Sequence, residues 1–175
     1  MWYSGCMKIL IVSDTHGSFY EMKKVIDAHR PLDVLIHCGD VCDDLDAVLG
    51  KTDYQVKAVG GNCDFPGAYP QELVFELAHH KVFLVHGHLH GVKSDSKKLI
   101  RRAKEAGCDI AMYGHTHIPE AVMEDGVYVL NPGSLTQPKQ RDGRPSYALM
   151  MIDDETGKTV CDICYPDMLP LEEFP

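Results

Sequence analysis

Lys8-Ile9-Leu10-Ile11-Val12-Ser13, followed at once by Asp14-Thr15-His16, is the stretch from which the fold of this chain can be read. A short, uninterrupted apolar run fits a β-strand buried on both faces. It stops abruptly at a carboxylate and an imidazole. The same punctuation recurs outward along the chain. Residues 33–38 (DVLIHC) lead into Gly39-Asp40, residues 55–59 (QVKAV) into Gly61-Asn62, residues 81–85 (KVFLV) into His86, and residues 110–113 (IAMY) into Gly114-His115-Thr116-His117.

Helical patterns lie between these runs. Ser18 is expected to cap a helix ending at His29, with Met22, Val25 and Ile26 on its apolar side and Pro31 closing it. Residues 43–49 predict a short helix and residues 94–106 a longer one. Residues 73–78, 121–123, 127–130, 147–152 and 159–163 read as further strands joined by polar turns. Alternating strand and helix, then mostly strand, without repeats or a linker, predicts one α/β domain with a mixed sheet or two packed sheets. That domain is expected over residues 7–175, with residues 1–6 as an extension outside it.

Composition narrows the function classes. The chain has 175 residues, 45% hydrophobic and 25% charged, which is ordinary for a folded globular domain. A domain of this length buries roughly 70% of its unfolded surface. The formal charge of -9 argues against stable nucleic-acid binding, which draws on many Lys and Arg. No run approaches the ~20 apolar residues of a membrane span, and no signal-peptide pattern opens the chain, so the expected compartment is the cytoplasm. Seven cysteines are then expected as thiols. Cys161 and Cys164 form a C-x-x-C inside a strand-like run, where residues three apart face opposite sides, so they are not read as a redox or zinc pair.

The chemistry lies at the strand ends. In open α/β sheets ligands bind at the carboxyl ends of the strands, where loops converge on a rigid frame. Asp14, His16, Asp40, Asn62, His86, His115 and His117 therefore point at one cleft, and the glycines beside them permit tight turns. Singly, each is better read as a turn, cap or surface residue; five coincident terminations are not. Four imidazoles, two carboxylates and an amide exceed the needs of one zinc, and a carboxylate can bridge two ions, which makes Asp40 the expected bridge. Nitrogen and oxygen donors without thiolate suit Mn²⁺, taken first, or Ni²⁺, Zn²⁺ or Fe. Two such cations against two carboxylates leave about two positive charges, a local attractor for phosphate.

The order D-x-H, G-D, G-N-x-D, H-G and G-H-x-H resembles the signature of the calcineurin-like metallophosphoesterase superfamily, above all its small single-domain bacterial and archaeal phosphodiesterases, from Met7 onward. The resemblance implies two mixed β-sheets packed as a sandwich flanked by helices, a four-layer αββα fold. It implies one metal at Asp14, His16, Asp40 and His117 and another at Asp40, Asn62, His86 and His115. It further implies a metal-bridging hydroxide that attacks the phosphorus of a small phosphate ester. Many relatives carry a His after the Asn, as proton donor to the leaving group; this chain has Cys63. The expected activity is therefore phosphodiesterase before monoesterase, with Asp40, Asn62, Cys63 and His88 as catalytic candidates. Lower-ranked alternatives are a phosphomonoesterase or protein phosphatase, and a non-catalytic scaffold like the retromer subunit, whose ligand set is degraded where this one is complete. Asn131 and Ser134 are candidates either for ligand contact or for turn building. His90 is read as part of the loop after His86, while His29, His79 and His80 are read as surface or packing residues. Lys97, Lys98, Arg101, Arg102 and Lys104 are read as a solvated helix face. A homo-oligomer is left open.

Overall fold

Alternate residues of the first apolar run face two different cores, which is why it reads as continuously apolar. In the computed structural model, which describes residues 5–169, Cys6–Val12 forms strand β1. Ile9 and Ile11 enter one hydrophobic cluster, Leu10 and Val12 another, and all four are fully buried. Burying each such side chain contributes about 1.5–3 kcal/mol relative to exposure. Strand β1 runs parallel to β2 (Val34–His37), and β2 parallel to β3 (Gln55–Ala58). On the other flank β9 (Tyr147–Asp153) is antiparallel to β1, and β10 (Thr159–Cys164) antiparallel to β9.

The second sheet has the order β4-β5-β6-β8-β7. Its centre, β5 (His80–Val85), β6 (Ile110–Met112) and β8 (Val127–Asn131), is parallel; its edges, β4 (Glu72–Leu77) and β7 (Glu120–Glu124), are antiparallel. Helices α1 (Tyr20–His29) and α2 (Leu45–Leu49) cover the first sheet, through Met22, Val25, Ile26 and Leu45. Helix α3 (Lys97–Glu105) covers the second through Leu99, Ile100 and Ala103. Between the sheets lies a third core that includes Ile36, Val82, Leu84, Met112 and Met150. Three cores separate four layers, as the resemblance implied.

Several local expectations need correction. Ser18 does not cap α1: Phe19 occupies that position without a side-chain bond, and the Ser18 amide closes a turn onto the Thr15 carbonyl at 2.9 Å. Helix α3 starts at Lys97 rather than 94, because the Ser94 amide folds back to the Gly91 carbonyl and the Ser96 hydroxyl donates to Glu124 at 2.5 Å. Cys6, assigned to the extension, is in β1 opposite Asp153; residues 1–4 and 170–175 lie outside the described residues. Cys161 packs against the core between the sheets and Cys164 against the helix-side core, so the pair does divide between the two faces. On α3, Lys97, Lys98, Arg101 and Lys104 are exposed and Arg102 pairs with Glu105 and Glu72, a solvated face.

Candidate metal centre

All five apolar runs read as strands are parallel members of the two sheets, and their carboxyl ends meet. Asp14 follows β1, Asp40 follows β2, Asn62 follows β3, His86 follows β5 and His115 follows β6. Tight turns are needed to aim consecutive residues inward. Asp14, His16, Asp40, Cys42, His115 and His117 all adopt φ between 46° and 67°, a left-handed conformation that costs non-glycine residues about 1–3 kcal/mol each. Among the described residues only Ala78 and Asp125 otherwise share it outside glycine.

The strain is held by named bonds. The Asp14 carbonyl accepts from the hydroxyls of Ser134 (2.9 Å) and Thr136 (3.0 Å), and the Asn131 amide donates to the Gly114 carbonyl and the Thr116 hydroxyl, both at 2.9 Å. Asn131 and Ser134 thus build the frame. Asp64 accepts the backbone amides of Asp40 (2.9 Å), Cys42 (2.6 Å) and Gly61 (2.7 Å), binding the loops after β2 and β3 together. The motif G-N-x-D contained this residue, but only the fold shows which amides it gathers.

Asp14 is wholly buried; its Oδ2 accepts from the Ser13 hydroxyl at 2.6 Å and the His115 amide at 3.1 Å. Its Oδ1 has no hydrogen-bond partner and faces the Nε2 atoms of His117 (3.1 Å), His16 (3.9 Å) and His86 (4.0 Å). Asp40 Oδ2 lies 3.3 Å from His86 Nε2 and 3.9 Å from His16 Nε2, while its Oδ1 accepts the Cys63 amide at 2.8 Å. Two rings are oriented from behind: His86 Nδ1 meets the Cys38 carbonyl at 2.8 Å and His117 Nδ1 the Gln137 carbonyl at 2.6 Å. Each Nδ1 therefore carries the proton, which leaves Nε2 as a lone-pair donor, the usual support for a metal-binding imidazole.

Three groups place one donor atom per residue within 4.8 Å of one another: Asp14, His16 and His117; Asp14, Asp40 and His86; and His16, Asp40 and Cys63. Buried atoms without partners are costly unless something pairs with them. Asp14 Oδ1, His16 Nε2 and His86 Nε2 are such atoms, and a divalent cation fits this donor set. His115 stacks edge-on against His86 at 5.1 Å, and His88 tilts against both rings at 5.5 and 6.1 Å. Asn62 is exposed beside the centre and its amide donates to Cys63 Sγ at 3.3 Å. His90 stands apart, against the Phe83 ring, and His29 and His80 make packing bonds to Tyr147 and Asp109. Sequence reasoning took nitrogen and oxygen donors without thiolate, and the fold brings one sulfur within reach of them. Cys63 Sγ lies within 4.8 Å of donor atoms of His16 and Asp40, and a cavity of about 740 Å³ bordered by Cys42, Cys63, Phe65 and Tyr69 opens alongside.

Electrostatics follow from the packing. Burial pushes both carboxylates up, but the His117 and His86 rings hold Asp14, and the His86 ring and Cys63 hold Asp40, below the usual range. Burial pulls His86 down, yet Asp40 and Asp14 outweigh it and raise it. Burial and then the His86 ring push His115 down to about 4. Burial, then Asp40, raises Cys63, and burial with Asp64 pushes Cys42 up to about 12; a bound cation inverts that sign for any thiol it touches.

His37, fully buried beneath the centre, bonds the Thr15 hydroxyl (3.0 Å) and accepts the Gly39 amide (3.2 Å), and burial pushes it down to about 4. The unfolded chain takes up this proton near pH 6.5 while the folded chain refuses it until about 4. Its contribution is thus intact above pH 6.5 and is lost on acidification toward 4, by roughly 3 kcal/mol at the lower end. Denaturant unfolding of metal-free protein at pH 7, 5.5 and 4 should show this decline, with a shallower one in His37→Gln; equal slopes would refute the assignment.

Comparison with known proteins agrees with this geometry. The family model described as the calcineurin-like phosphoesterase superfamily domain matches residues 7–155. A probable metallophosphoesterase of Bacillus subtilis, YsnB, is 36% identical over 153 residues, covering 86% of this chain and 88% of the relative. The phosphodiesterase YfcE of Escherichia coli K12 is 30% identical over 173 residues, covering 85% and 89%. The crystal structure of a predicted phosphoesterase from Streptococcus pneumoniae TIGR4 superposes with a TM-score of 0.81 at 33% identity, covering 94% of this chain and 92% of that one. The matched span holds every strand that brings a candidate ligand to the centre, and by that span and these identities the chain belongs to the calcineurin-like phosphoesterase superfamily.

Proposed function

We propose that this protein is a phosphodiesterase dependent on two divalent ions, and the observation that carries the reading is the set of buried, partnerless donors on Asp14, His16 and His86 at one point. Asp14, His16, Asp40 and His117 would hold one ion and Asp40, Asn62, His86 and His115 the other. Bound there, such ions lower the pKa of water and neutralise charge developing on phosphate. The chain's own residues do the positioning. The αL turns and the Asp64 bonds fix the donors before substrate arrives, so little reorganisation is left to the reaction. His88, tilted against the His86 and His115 rings and shifted by burial toward its neutral form, would orient a phosphate oxygen by hydrogen bonding.

Two features support diesters over monoesters. The cavity beside Cys63 falls in the usual volume range for a small-molecule site and accommodates a second ester substituent. Cys63 stands where the family resemblance implies a proton-donating imidazole in many members, and a thiol is a weak donor poorly matched to protonating an alkoxide. Proton donation is typically worth ~10² to 10⁴ in rate. Cys63→His should raise turnover of an alkyl monoester relative to that of an activated aryl diester by about 10². A parent enzyme already fast on alkyl monoesters would show that another group supplies the proton.

A further inference from the structure

Donors bound at ~2.0–2.3 Å to one ion stand no more than ~4.6 Å apart. His16, Asp40 and Cys63 meet that spacing to within a few tenths of an ångström, their donor atoms all lying within 4.8 Å of one another. Three contacts hold the cysteine in place. Its amide donates to Asp40 Oδ1 at 2.8 Å, its carbonyl accepts from Cys42 Sγ at 3.6 Å, and its sulfur accepts from the Asn62 amide at 3.3 Å. A sulfur that accepts a hydrogen bond is presented as an electron-pair donor. The neighbouring Asp14 Oδ1 and His86 Nε2 belong to wholly buried side chains and lack hydrogen-bond partners, so the centre's open valences point to a cation rather than to internal pairing.

Resting on the metal-dependent reading above, we infer that Cys63 is itself a ligand, its sulfur binding as thiolate the ion that His16 and Asp40 share. The thiol proton passes to solvent as the ion binds. One soft donor shifts the site's preference toward Zn²⁺, Co²⁺ or Fe²⁺ and away from Mn²⁺, which favours carboxylate and water oxygen. The same bond removes the only proton Cys63 could offer a leaving group, so ion selectivity and substrate selectivity trace to one residue.

Cobalt(II) added to chelator-stripped protein is the probe. Visible d–d bands report that the ion is bound, whereas a near-ultraviolet sulfur-to-cobalt charge-transfer band reports a thiolate ligand. The parent and Cys42→Ser should show both; Cys63→Ser should keep the visible bands and lose the near-ultraviolet one. In competition, Cys63→Ser should weaken Zn²⁺ at least as much as losing an outer-shell partner does, ~10- to 100-fold, with little change for Mn²⁺. Should Cys63→Ser fail to fold, peptide mapping of the alkylated parent decides instead: Zn²⁺ should protect Cys63 from iodoacetamide. Visible bands without the near-ultraviolet band in the parent, a band that survives in Cys63→Ser, or unprotected Cys63 would each overturn the inference. No cobalt binding at all would overturn the metal-dependent reading beneath it, a result distinct from loss of the thiolate band alone.

Discussion

Asp40→Ala should bind neither ion tightly and fall to about a thousandth of parent turnover or less. Asp40 Oδ2 reaches toward both His16 and His86, as Asp14 Oδ1 does, but among the described residues Asp40 is the carboxylate that also shares a donor group with Cys63. A 10³-fold loss corresponds to about 4 kcal/mol, within the several kcal/mol of charge stabilisation that metal ions supply to phosphoryl transfer. Stability of the metal-free variant should change little. The Cys63 amide loses its acceptor, at about 1–3 kcal/mol, but repulsion between Asp40 and the buried Asp14 is relieved. Ligand-linked stabilisation should vanish instead, so that added metal no longer raises Tm. Asp40→Asn retains the shape and the Cys63 bond and separates charge from packing. Metal analysis and melting with and without Mn²⁺ or Zn²⁺ check all three points, and a variant that kept two ions and normal turnover would place the bridge elsewhere.

Gly61→Ala should cost nearly as much, although it removes no ligand. A Cβ at Gly61 would lie 2.5 Å from the Asp40 amide nitrogen and closer still to its Oδ1. No rotamer relieves an overlap with backbone, so the loop after β3 or the turn at Asp40 must move. Overpacking of this kind costs typically 1–3 kcal/mol in stability, and a displacement of about 1 Å in a catalytic constellation can cost ~10² in rate. Gly114→Ala should behave alike, since its Cβ would meet the Ser13 hydroxyl and lie 2.8 Å from Asp14 Oδ2. Gly60→Ala is the control: its nearest neighbour is the flexible Gln71 amide at 3.1 Å. Equal activity in Gly61→Ala and Gly60→Ala would mean that the close approach of the two loops is not needed for function.

The centre was legible in sequence because burial on both faces forces continuous apolar runs, and each run ended in a donor. The runs at Ile9, Leu35, Leu84 and Ala111 therefore disclosed both the parallel strands and the candidate donors at their ends. Antiparallel β9 and β10 were legible as strands, but the placement of β9 beside β1 and of β10 beside β9 was not, since pairing across the sheet leaves no local pattern. Glycine was the expected carrier of positive φ, yet Asp14, Asp40 and His117 adopt it themselves. Such strain is held by distant residues, as Ser134 and Thr136 hold the Asp14 carbonyl, and no short window contains both partners. The Ser18 cap failed for a related reason: the chain leaving Asp14 is committed to turns that aim His16 inward before a helix can begin. Cys63 was noticed as a missing histidine rather than as a thiol beside His16, because only the fold brings the loops after β1 and β3 together.

Metal content and turnover measured on the same samples test the central claim most directly. Protein stripped with a chelator, then titrated with Mn²⁺, Zn²⁺ or Co²⁺, should gain two ions per chain, and hydrolysis of an activated aryl phosphodiester should return only as both sites fill. Full turnover in metal-free protein, or a chain that takes up no divalent ion at any concentration, would contradict the account.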